Sequence, residues 1–542
     1  MNNLFKSVSL TVILGLTMSS FVESHDTVQA DYHVIPLPQK ICLIPETKPF
    51  VLDRHTRILY PIGNLSMKRN AQFLAGYLKK ITGDDYIIQA GSKGTNAIIL
   101  NLGLNSSNKE SYRLKVGSSS VSISSSNPAG VFYGIQTLRK SLSQKRSKNM
   151  ILPAVIIDDC PRFAYRGALL DVSRHFFSLA DVKTYLDMMA MHNMNYFHWH
   201  LIDDQGWRLE IKKYPNLTKV GSQRSETVIG RNSDKYDGKP YGGYYTQKQA
   251  KEIVKYAADR YITVVPEIDM PGHTLAALAS YPYLGCTGGP YKVATKWGPT
   301  PDVLCVGNDK TLTFVDDVLT ELVSVFPSHY IFIDGDSCSK VRWEKCPKCQ
   351  ARIKALGLVD DKKHKKEEKL EFYFVRHIEN FLRAHGRTVF GWTDMLEYGL
   401  TQDAMVMSGR SDANIIKAAD SGHKVVSVPF FFDNYQSKDV KNEPLAIGGY
   451  LPMEEVYHSE PMPPMLSTDK QKFLYGVQGD LWSEYITTGS LMQYMVLPRW
   501  AALSEIQWTL PEKKDYKSFL LRLPCLINLY QMDGYNYYAI PN

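Results

Sequence analysis

The chain is poor in cysteine and has no long run of one charge. Its eight cysteines in 542 residues are too few for a disulfide scaffold. The longest basic cluster, residues 362–366, is followed at once by Glu367 and Glu368, which indicates a solvated helix rather than a nucleic-acid-binding surface. Hydrophobic residues make up 44% and charged residues 22% of the chain, as in soluble globular proteins, and the length allows two or three domains.

Long apolar runs are also scarce. One follows Lys6 and covers residues 8–18, which is too short to cross a bilayer but has the length of a signal-peptide core. We therefore predict that residues 1–30 are a signal peptide and that the protein is exported to a periplasmic, extracellular or lumenal space. No integral membrane segment is expected after its removal.

Four cysteines fall into two pairs along the sequence. Cys286 and Cys305 are candidates for a disulfide that closes a short local loop in an exported protein. Cys346 and Cys349 form a single CxxC without a second pair at zinc-ribbon spacing, so the pattern supports structural zinc only weakly. A local disulfide or two free thiols agree with it at least as well, and the sequence alone leaves the pairing open.

The order of apolar segments predicts two domains. Short strands mixed with two amphipathic helices, 66–82 and 130–143, predict a small α+β domain over residues 31–155. Eight apolar strands then alternate with helices, which predicts an α/β fold, a (β/α)8 TIM barrel, over residues 160–510. The eight predicted strands are 167–172, 196–201, 262–267, 329–333, 388–392, 404–408, 424–430 and 473–478. Residues 511–542 are predicted to form a helical tail.

Polar and aromatic residues recur just after the predicted strands, which favours the barrel over a doubly wound sheet. The motifs are RGALLDVSR at 166–174, HWHLIDDQGWR at 198–208, PEIDMPGH at 266–273 and GVQGDLWSE at 476–484. The fourth strand runs into FIDGDS at 332–337, where period-two alternation would put Phe332, Asp334 and Asp336 on one face. Taken alone, this pair of carboxylates agrees equally well with a solvated turn.

Together these motifs, with VRWEKCPKCQ at 341–350, resemble the β-N-acetylhexosaminidases of glycoside hydrolase family 20 over nearly the whole chain after the predicted signal peptide. The resemblance implies a supporting small domain, a barrel that removes terminal N-acetylglucosamine or N-acetylgalactosamine from glycans with retention, and no cofactor. His200 and His273 could bind zinc, but no third ligand follows at a characteristic spacing, and the family needs no metal. The resemblance implies substrate binding by Arg174, Asp203, His273, Trp392, Asp433, Trp482 and Glu484.

The resemblance fails at the residues that carry the chemistry. In the family, the substrate's acetamide oxygen attacks the anomeric carbon, an Asp orients the acetamide, and the Glu after it protonates the leaving oxygen. Asp336 matches this Asp, but Ser337 stands at the acid position, and a hydroxyl is too weakly acidic for that role. Asp334 replaces a Gly and is a candidate displaced acid, because two close carboxylates raise the pKa of one of them.

Further departures fall on the same predicted pocket. Phe332 replaces a His, Gly409 replaces a Trp that walls the acetamide, and Phe431 replaces a Tyr that holds the acetamide carbonyl. Thr393 and Asp394 replace an Asp-Glu pair. The sequence therefore predicts an exported, hexosaminidase-like protein with impaired or altered hydrolysis. The alternative is a non-catalytic, carbohydrate-binding relative.

Overall fold

The computed structural model describes residues 28–142, 145–335, 338–409 and 411–540. Residues 1–27 of the predicted signal peptide lie outside this range, and so do Asp336 and Ser337. Val28–Gln29, within the segment predicted as the signal peptide, forms a short strand parallel to Met150–Leu152.

The small domain consists of two β-sheets and two helices, so the prediction of an α+β domain is confirmed. Seven of its strands form one sheet and three form another. Asn64 begins the first helix by accepting a hydrogen bond from the Met67 amide, and Gly83, at φ 85°, ends it in the left-handed conformation that glycine adopts easily. The helices are Leu65–Thr82 and Pro128–Ser141, and the strands are Val28–Gln29, Lys40–Leu43, Phe50–Leu52, Arg57–Tyr60, Ile87–Ala90, Ala97–Asn101, Tyr112–Val116, Ser120–Ser125, Met150–Leu152 and Val155–Asp159.

Eight parallel strands then close into a barrel, as predicted. In chain order, barrel strands one to eight are Tyr165–Asp171, Tyr196–His200, Thr263–Glu267, Tyr330–Phe332, Thr388–Trp392, Met405–Gly409, Lys424–Phe431 and Leu474–Leu481. Large apolar side chains such as Phe332, Phe390 and Met407 form a separate buried cluster contributed by these strands. The barrel interior is therefore a packed core, and a ligand site can form only at an end of the barrel.

Helices follow most barrel strands. Ser178 begins the first of them with a capping box that includes Asp181. They are Leu179–Met191, Asn216–Lys219, Gln247–Ala258, Leu275–Ser280, Asp309–Val325, Val341–Lys345, Pro347–Ala355, Lys366–Ala384, Asp412–Asp420, Met453–His458, Gly489–Val496 and Arg499–Trp508, and the tail helix is Tyr516–Asp533. Across the described ranges, none of the helices has both the length and the apolar character of a membrane span.

Arg166 joins the small domain to the barrel. Its fully buried guanidinium donates to both carboxylate oxygens of Glu110 at 2.8 and 3.0 Å, and to the Asn193 carbonyl at 2.8 Å. Arg166 lies near the start of barrel strand one, so the small domain packs at the amino-terminal end of the barrel. The carboxyl-terminal end carries the cavity described next.

Candidate functional site

A cavity of about 260 Å³ lies at the carboxyl-terminal end of the barrel. Seven side chains singled out from the sequence line it: Arg174, Asp203, His273, Asp334, Trp392, Trp482 and Glu484. His200, Glu267, Asp269 and Ile447 complete the described lining. Asp433 is buried after strand seven, outside the described lining, where its carbonyl accepts a hydrogen bond from the Ile447 amide at 3.3 Å.

Arg174 and Asp203 form the centre of the cavity's charged lining. The Arg174 guanidinium lies 2.5 Å from Asp203 Oδ2 and 3.3 Å from Asp171 Oδ2, and its Nε donates to Gln205 Oε1 at 3.2 Å. His273 Nδ1 donates to Asp203 Oδ1 at 2.9 Å. These contacts fix the guanidinium from several sides, so little side-chain freedom remains to be lost when a ligand binds.

Asp203 and its cationic neighbours stabilise one another's charged forms. Burial alone would raise the pKa of Asp203, but the Arg174 and His273 cations hold that pKa well below its usual range. Burial alone would lower the pKa of His273, but the Asp203 carboxylate raises it well above the usual value. Asp203 is therefore ionised and His273 protonated at neutral pH, and both present fixed charges to a polar ligand.

Two histidines of strand two connect this network to strand three. His200 Nδ1 lies 2.8 Å and His198 Nε2 lies 3.0 Å from Glu267 Oε2. Burial and the Glu267 carboxylate raise the pKa of Asp269 well above its usual range. Asp269 can thus donate a hydrogen bond at a pH where an ordinary carboxyl group only accepts.

Trp482 and Glu484 follow strand eight on the same side. The Trp482 ring lies 5.2 Å from the Arg174 guanidinium carbon and 5.1 Å from the His200 ring, which hold the indole in place. Glu484 Oε2 is enclosed and accepts no hydrogen bond from the described residues. An enclosed carboxylate oxygen without a donor favours a ligand hydroxyl at this point.

Asp334 follows the fourth strand, which ends at Phe332, one residue earlier than predicted. The predicted alternation of faces therefore does not continue through Asp334, whose φ of 66° is left-handed. An L-residue pays about 1–2 kcal/mol for this conformation, and Asp is among the residues that tolerate it best. Its carbonyl accepts a hydrogen bond from the Trp392 amide at 3.1 Å. Asp334 nevertheless lies in the cavity lining, beside the segment that leads to Asp336.

Three of the replaced residues lie around Trp392, which lines the cavity. A Cβ atom added to Gly409 would come no nearer than 3.9 Å to Trp392 and 4.0 Å to Phe431. The Phe332 ring packs edge-on against the Trp392 ring at 5.9 Å. The substitutions at 332, 409 and 431 thus meet in one region, called here the apolar region: Phe332, Trp392, Gly409 and Phe431.

Two groups within the cavity have donor atoms close enough to bind a cation. They are His200 with Asp203 and Asp269, and Asp203 with Asp204 and His273. The Arg174 guanidinium already neutralises Asp203, so a metal ion there would face a like charge at short range. We assign these side chains to ion pairs and hydrogen bonds with one another.

Sequence reasoning gave several lining residues no role in substrate binding. Glu267 and Asp269 stand in the PEIDMPGH motif, and His200, considered only as a zinc ligand, stands in HWHLIDDQGWR, so their position after barrel strands could have assigned them to the site. Ile447 belongs to the long connection between strand seven and Met453–His458, where no motif marks it.

Known families and proteins match both domains. The profile described as "Glycosyl hydrolase family 20, catalytic domain" matches residues 163–511, and that of "Glycosyl hydrolase family 20, domain 2" matches residues 31–160. A beta-hexosaminidase of Porphyromonas gingivalis is 41% identical over 520 residues, covering 93% of this chain and 64% of the relative. A beta-hexosaminidase of Vibrio furnissii is 33% identical over 400 residues, covering 72% of this chain and 64% of the relative. The chain thus spans less than two thirds of the length of these relatives.

Solved structures show the same architecture. The GH20 β-N-acetylhexosaminidase of Streptomyces coelicolor superposes with a TM-score of 0.79 at 32% identity, covering 94% of this chain and 98% of that one. The GH20 exo-β-N-acetylglucosaminidase of Vibrio harveyi superposes with a TM-score of 0.81 at 29% identity. The match covers 95% of this chain and 79% of that one, which was solved with N-acetylglucosamine. The likeness therefore includes both the small domain and the barrel.

Proposed function

Since the chain belongs to glycoside hydrolase family 20, we propose that it binds the terminal N-acetylhexosamine of a glycan in this cavity and hydrolyses it slowly. The observation that carries the proposal is a contrast within one site. Six of the seven residues predicted to bind the substrate, all except Asp433, line the cavity, whereas Ser337 stands where the family places its acid. The proposal includes export, supported by the apolar run at residues 8–18.

The charged lining suits the hydroxyl-rich end of a sugar. A guanidinium fork such as that of Arg174 can donate to two neighbouring hydroxyls at once, and Glu484 Oε2 can accept from another. The Trp482 indole can cover the apolar C–H face of a pyranose ring. A cavity of about 260 Å³ is slightly below the usual 300–1,000 Å³ range of ligand pockets, which fits one sugar unit better than an extended chain.

The expected chemical defect lies in proton supply. A general acid contributes roughly 10²–10⁴ in rate when the leaving group is a poor one, such as a sugar alcohol. The Ser337 hydroxyl cannot provide that proton. Asp334, which lines the cavity, is the carboxyl group we propose as a partial substitute.

A second candidate function, glycan binding without hydrolysis, is favoured by the apolar region. Gly409 and Phe431 replace two side chains of the family's acetamide side, Phe332 replaces a motif His, and the three residues lie around Trp392. A site that no longer holds the acetamide cannot align its oxygen with the anomeric carbon, so even activated substrates would resist cleavage.

Leaving-group dependence separates the two functions. We expect the unmodified protein to cleave 4-nitrophenyl N-acetyl-β-glucosaminide, whose phenolate leaves without protonation, and to leave N,N′-diacetylchitobiose almost intact. Ser337→Glu should raise chitobiose hydrolysis at least about 10-fold. Ser339→Glu adds the same charge two residues away and should not.

Each other outcome has a distinct meaning. Loss of the residual chitobiose hydrolysis in Asp334→Asn, an isosteric change that also tolerates left-handed φ, with cleavage of the aryl glycoside retained, would identify Asp334 as the acid. If neither substrate is cleaved but calorimetry detects binding of N-acetylglucosamine, the protein binds glycans without hydrolysing them. Brisk chitobiose hydrolysis by the unmodified protein, undiminished by Asp334→Asn, would refute impaired hydrolysis.

A further inference from the structure

Four cysteine thiols meet outside the sugar cavity. The sulfur atoms of Cys286, Cys305, Cys346 and Cys349 all lie within 4.8 Å of one another. Cys286 and Cys305 come from the connection after barrel strand three, and the other two from the helical segment after strand four. We call these four residues the cysteine cluster. The local disulfide considered for Cys286 and Cys305 is absent, since all four residues carry free thiols.

The spacing of the sulfurs is that of a tetrahedral metal site. The Cys305 sulfur lies 3.7 Å from those of both Cys346 and Cys349, and the Cys286 sulfur lies 3.8 Å from that of Cys349. Four thiolates about 2.3 Å from a tetrahedral Zn²⁺ are separated by about 3.8 Å. Two disulfides would instead divide the group into pairs about 2.05 Å apart. Here one sulfur has two equidistant neighbours, as ligands around a common centre do.

The backbone brings the two halves of the cluster together. A Cβ atom at Gly307 would lie 2.2 Å from the Lys348 carbonyl carbon and 2.3 Å from the Cys349 amide nitrogen, so only glycine allows this approach. The Cys305 amide donates to the Leu284 carbonyl at 2.7 Å, which holds Cys305 close to Cys286. The Trp343 indole donates to the Leu304 carbonyl at 2.9 Å. The ligand positions are therefore held by contacts other than the sulfurs themselves.

The surroundings suit an anionic metal complex. Cys346 is the residue before the helix Pro347–Ala355 and Cys349 lies in its first turn, so both lie at the helix amino terminus, which carries a partial positive charge. Lys345 and Lys348 flank the pair in sequence and can offset the net negative charge of a four-thiolate site. Cys305, Cys346 and Cys349 are buried, which would shield an ion at this point from solvent.

We propose that the cysteine cluster binds one structural zinc ion. Four thiols and Zn²⁺ give a tetrathiolate complex and release four protons, and no redox partner is needed. A complete set of four cysteines leaves no open position for a substrate, so the role is structural. The ion would fasten the connection after strand three to the segment after strand four. The cavity residues Asp269, His273 and Asp334 lie on these same two stretches of chain.

Metal content tests the proposal directly. The full-length protein, purified without reductant or chelator, should contain about one zinc per chain by inductively coupled plasma mass spectrometry. The double variant Cys346→Ser, Cys349→Ser should contain less than about a tenth of that. Cys42→Ser removes an exposed cysteine elsewhere and should keep the full content. A zinc content near zero in the unmodified protein, even after incubation with excess Zn²⁺, would overturn the proposal.

A second measurement uses the unmodified protein and so does not depend on the variant folding. Alkylation in denaturant with chelator, followed by intact mass, should label all eight cysteines. Protein lighter by four hydrogens, with only four labelled cysteines, would show two disulfides and overturn the proposal. Cobalt exchange should give the intense visible absorption of tetrahedral Co²⁺, and a red iron centre in place of zinc would also overturn it. Neither readout depends on sugar binding, so failure here leaves the proposed function untouched.

Discussion

The charged lining of the cavity and the apolar region differ in how their side chains are held. In the charged lining, Asp203 contacts Arg174 at 2.5 Å and His273 at 2.9 Å, and each of the three residues has several partners. In the apolar region, a Cβ atom added to Gly409 would find its nearest non-adjacent neighbour among the described residues 3.9 Å away, and Phe332 and Phe431 offer no hydrogen-bonding side chain. Residues that would grip a sugar thus form one connected network. Residues that would position its reacting group can be replaced without disturbing that network.

The largest effect is expected for Asp203→Asn. This change leaves the buried Arg174 and His273 cations without their shared counter-charge, and removing one partner of a buried ion pair costs about 3–5 kcal/mol. We expect a loss of that size in urea unfolding and at least a 100-fold loss of N-acetylglucosamine binding by calorimetry. Asp234→Asn breaks an exposed pair with Lys296 and should change neither. An unchanged free energy of unfolding in Asp203→Asn would show that the Asp203 charge does not stabilise the buried Arg174 and His273 cations.

The next largest effect contrasts the two tryptophans. Trp482→Ala removes a ring fixed by Arg174 and His200 beside the groups proposed to bind the sugar, so we expect binding to weaken about 10- to 100-fold. Trp392→Ala acts on the apolar region and should weaken binding less than about 5-fold. Calorimetric titration with the same monosaccharide compares them. Equal losses of affinity in the two variants would show that the charged lining and the apolar region contribute equally to binding.

Two glycines on neighbouring strands test the packing difference. A Cβ atom at Gly391 would lie 2.1 Å from Met395 Sδ and 2.7 Å from the Asp334 carbonyl oxygen, whereas one at Gly409 meets only ordinary contacts. We expect Gly391→Ala to cost about 1–3 kcal/mol in urea unfolding. Gly409→Ala should stay within about 0.5 kcal/mol. If Gly409→Ala were the more damaging change, the apolar region would be tightly packed after all.

The smallest effect is expected for Glu484→Gln, as a change in how the free energy of unfolding depends on pH. Burial raises the pKa of Glu484 above the ordinary 4.5, although Arg174 partly lowers it. The folded protein then keeps this proton to a higher pH than the unfolded chain, so its unfolding free energy falls as pH rises from 4.5 through the raised pKa. Glu484→Gln should remove this part of the decline and be the more stable protein at neutral pH. Urea unfolding from pH 4.5 to 8 measures it, and parallel curves would show that Glu484 does not titrate abnormally.

The barrel could be predicted because its strands are distinct in sequence. Strand five was predicted at 388–392 and spans Thr388–Trp392, since its apolar run is bounded by Gly386 and a polar turn. Several strands of the small domain were not predicted. Lys40–Leu43 is short and largely exposed, so its sequence has little apolar pattern to recognise.

The site was predictable where residues adjoin strand ends, and less so elsewhere. Arg174, Asp203 and Glu484 stand in motifs that follow strands, and the barrel brings them together. The cysteine cluster joins Cys305 to Cys346 across 41 residues, a distance that no local spacing rule covers. The exact end of strand four was also missed, because the left-handed turn at Asp334 is unusual for a residue other than glycine.

The bond between Arg166 and Glu110 bears on how the protein can be divided for expression. A fragment beginning after Asp159 would keep Arg166 in the floor of the barrel but lose both carboxylate oxygens that neutralise it. It would also uncover the Trp508 ring, which packs 5.1 Å from that of Tyr133. Such a truncated barrel should aggregate, so we expect the two domains to fold as one unit.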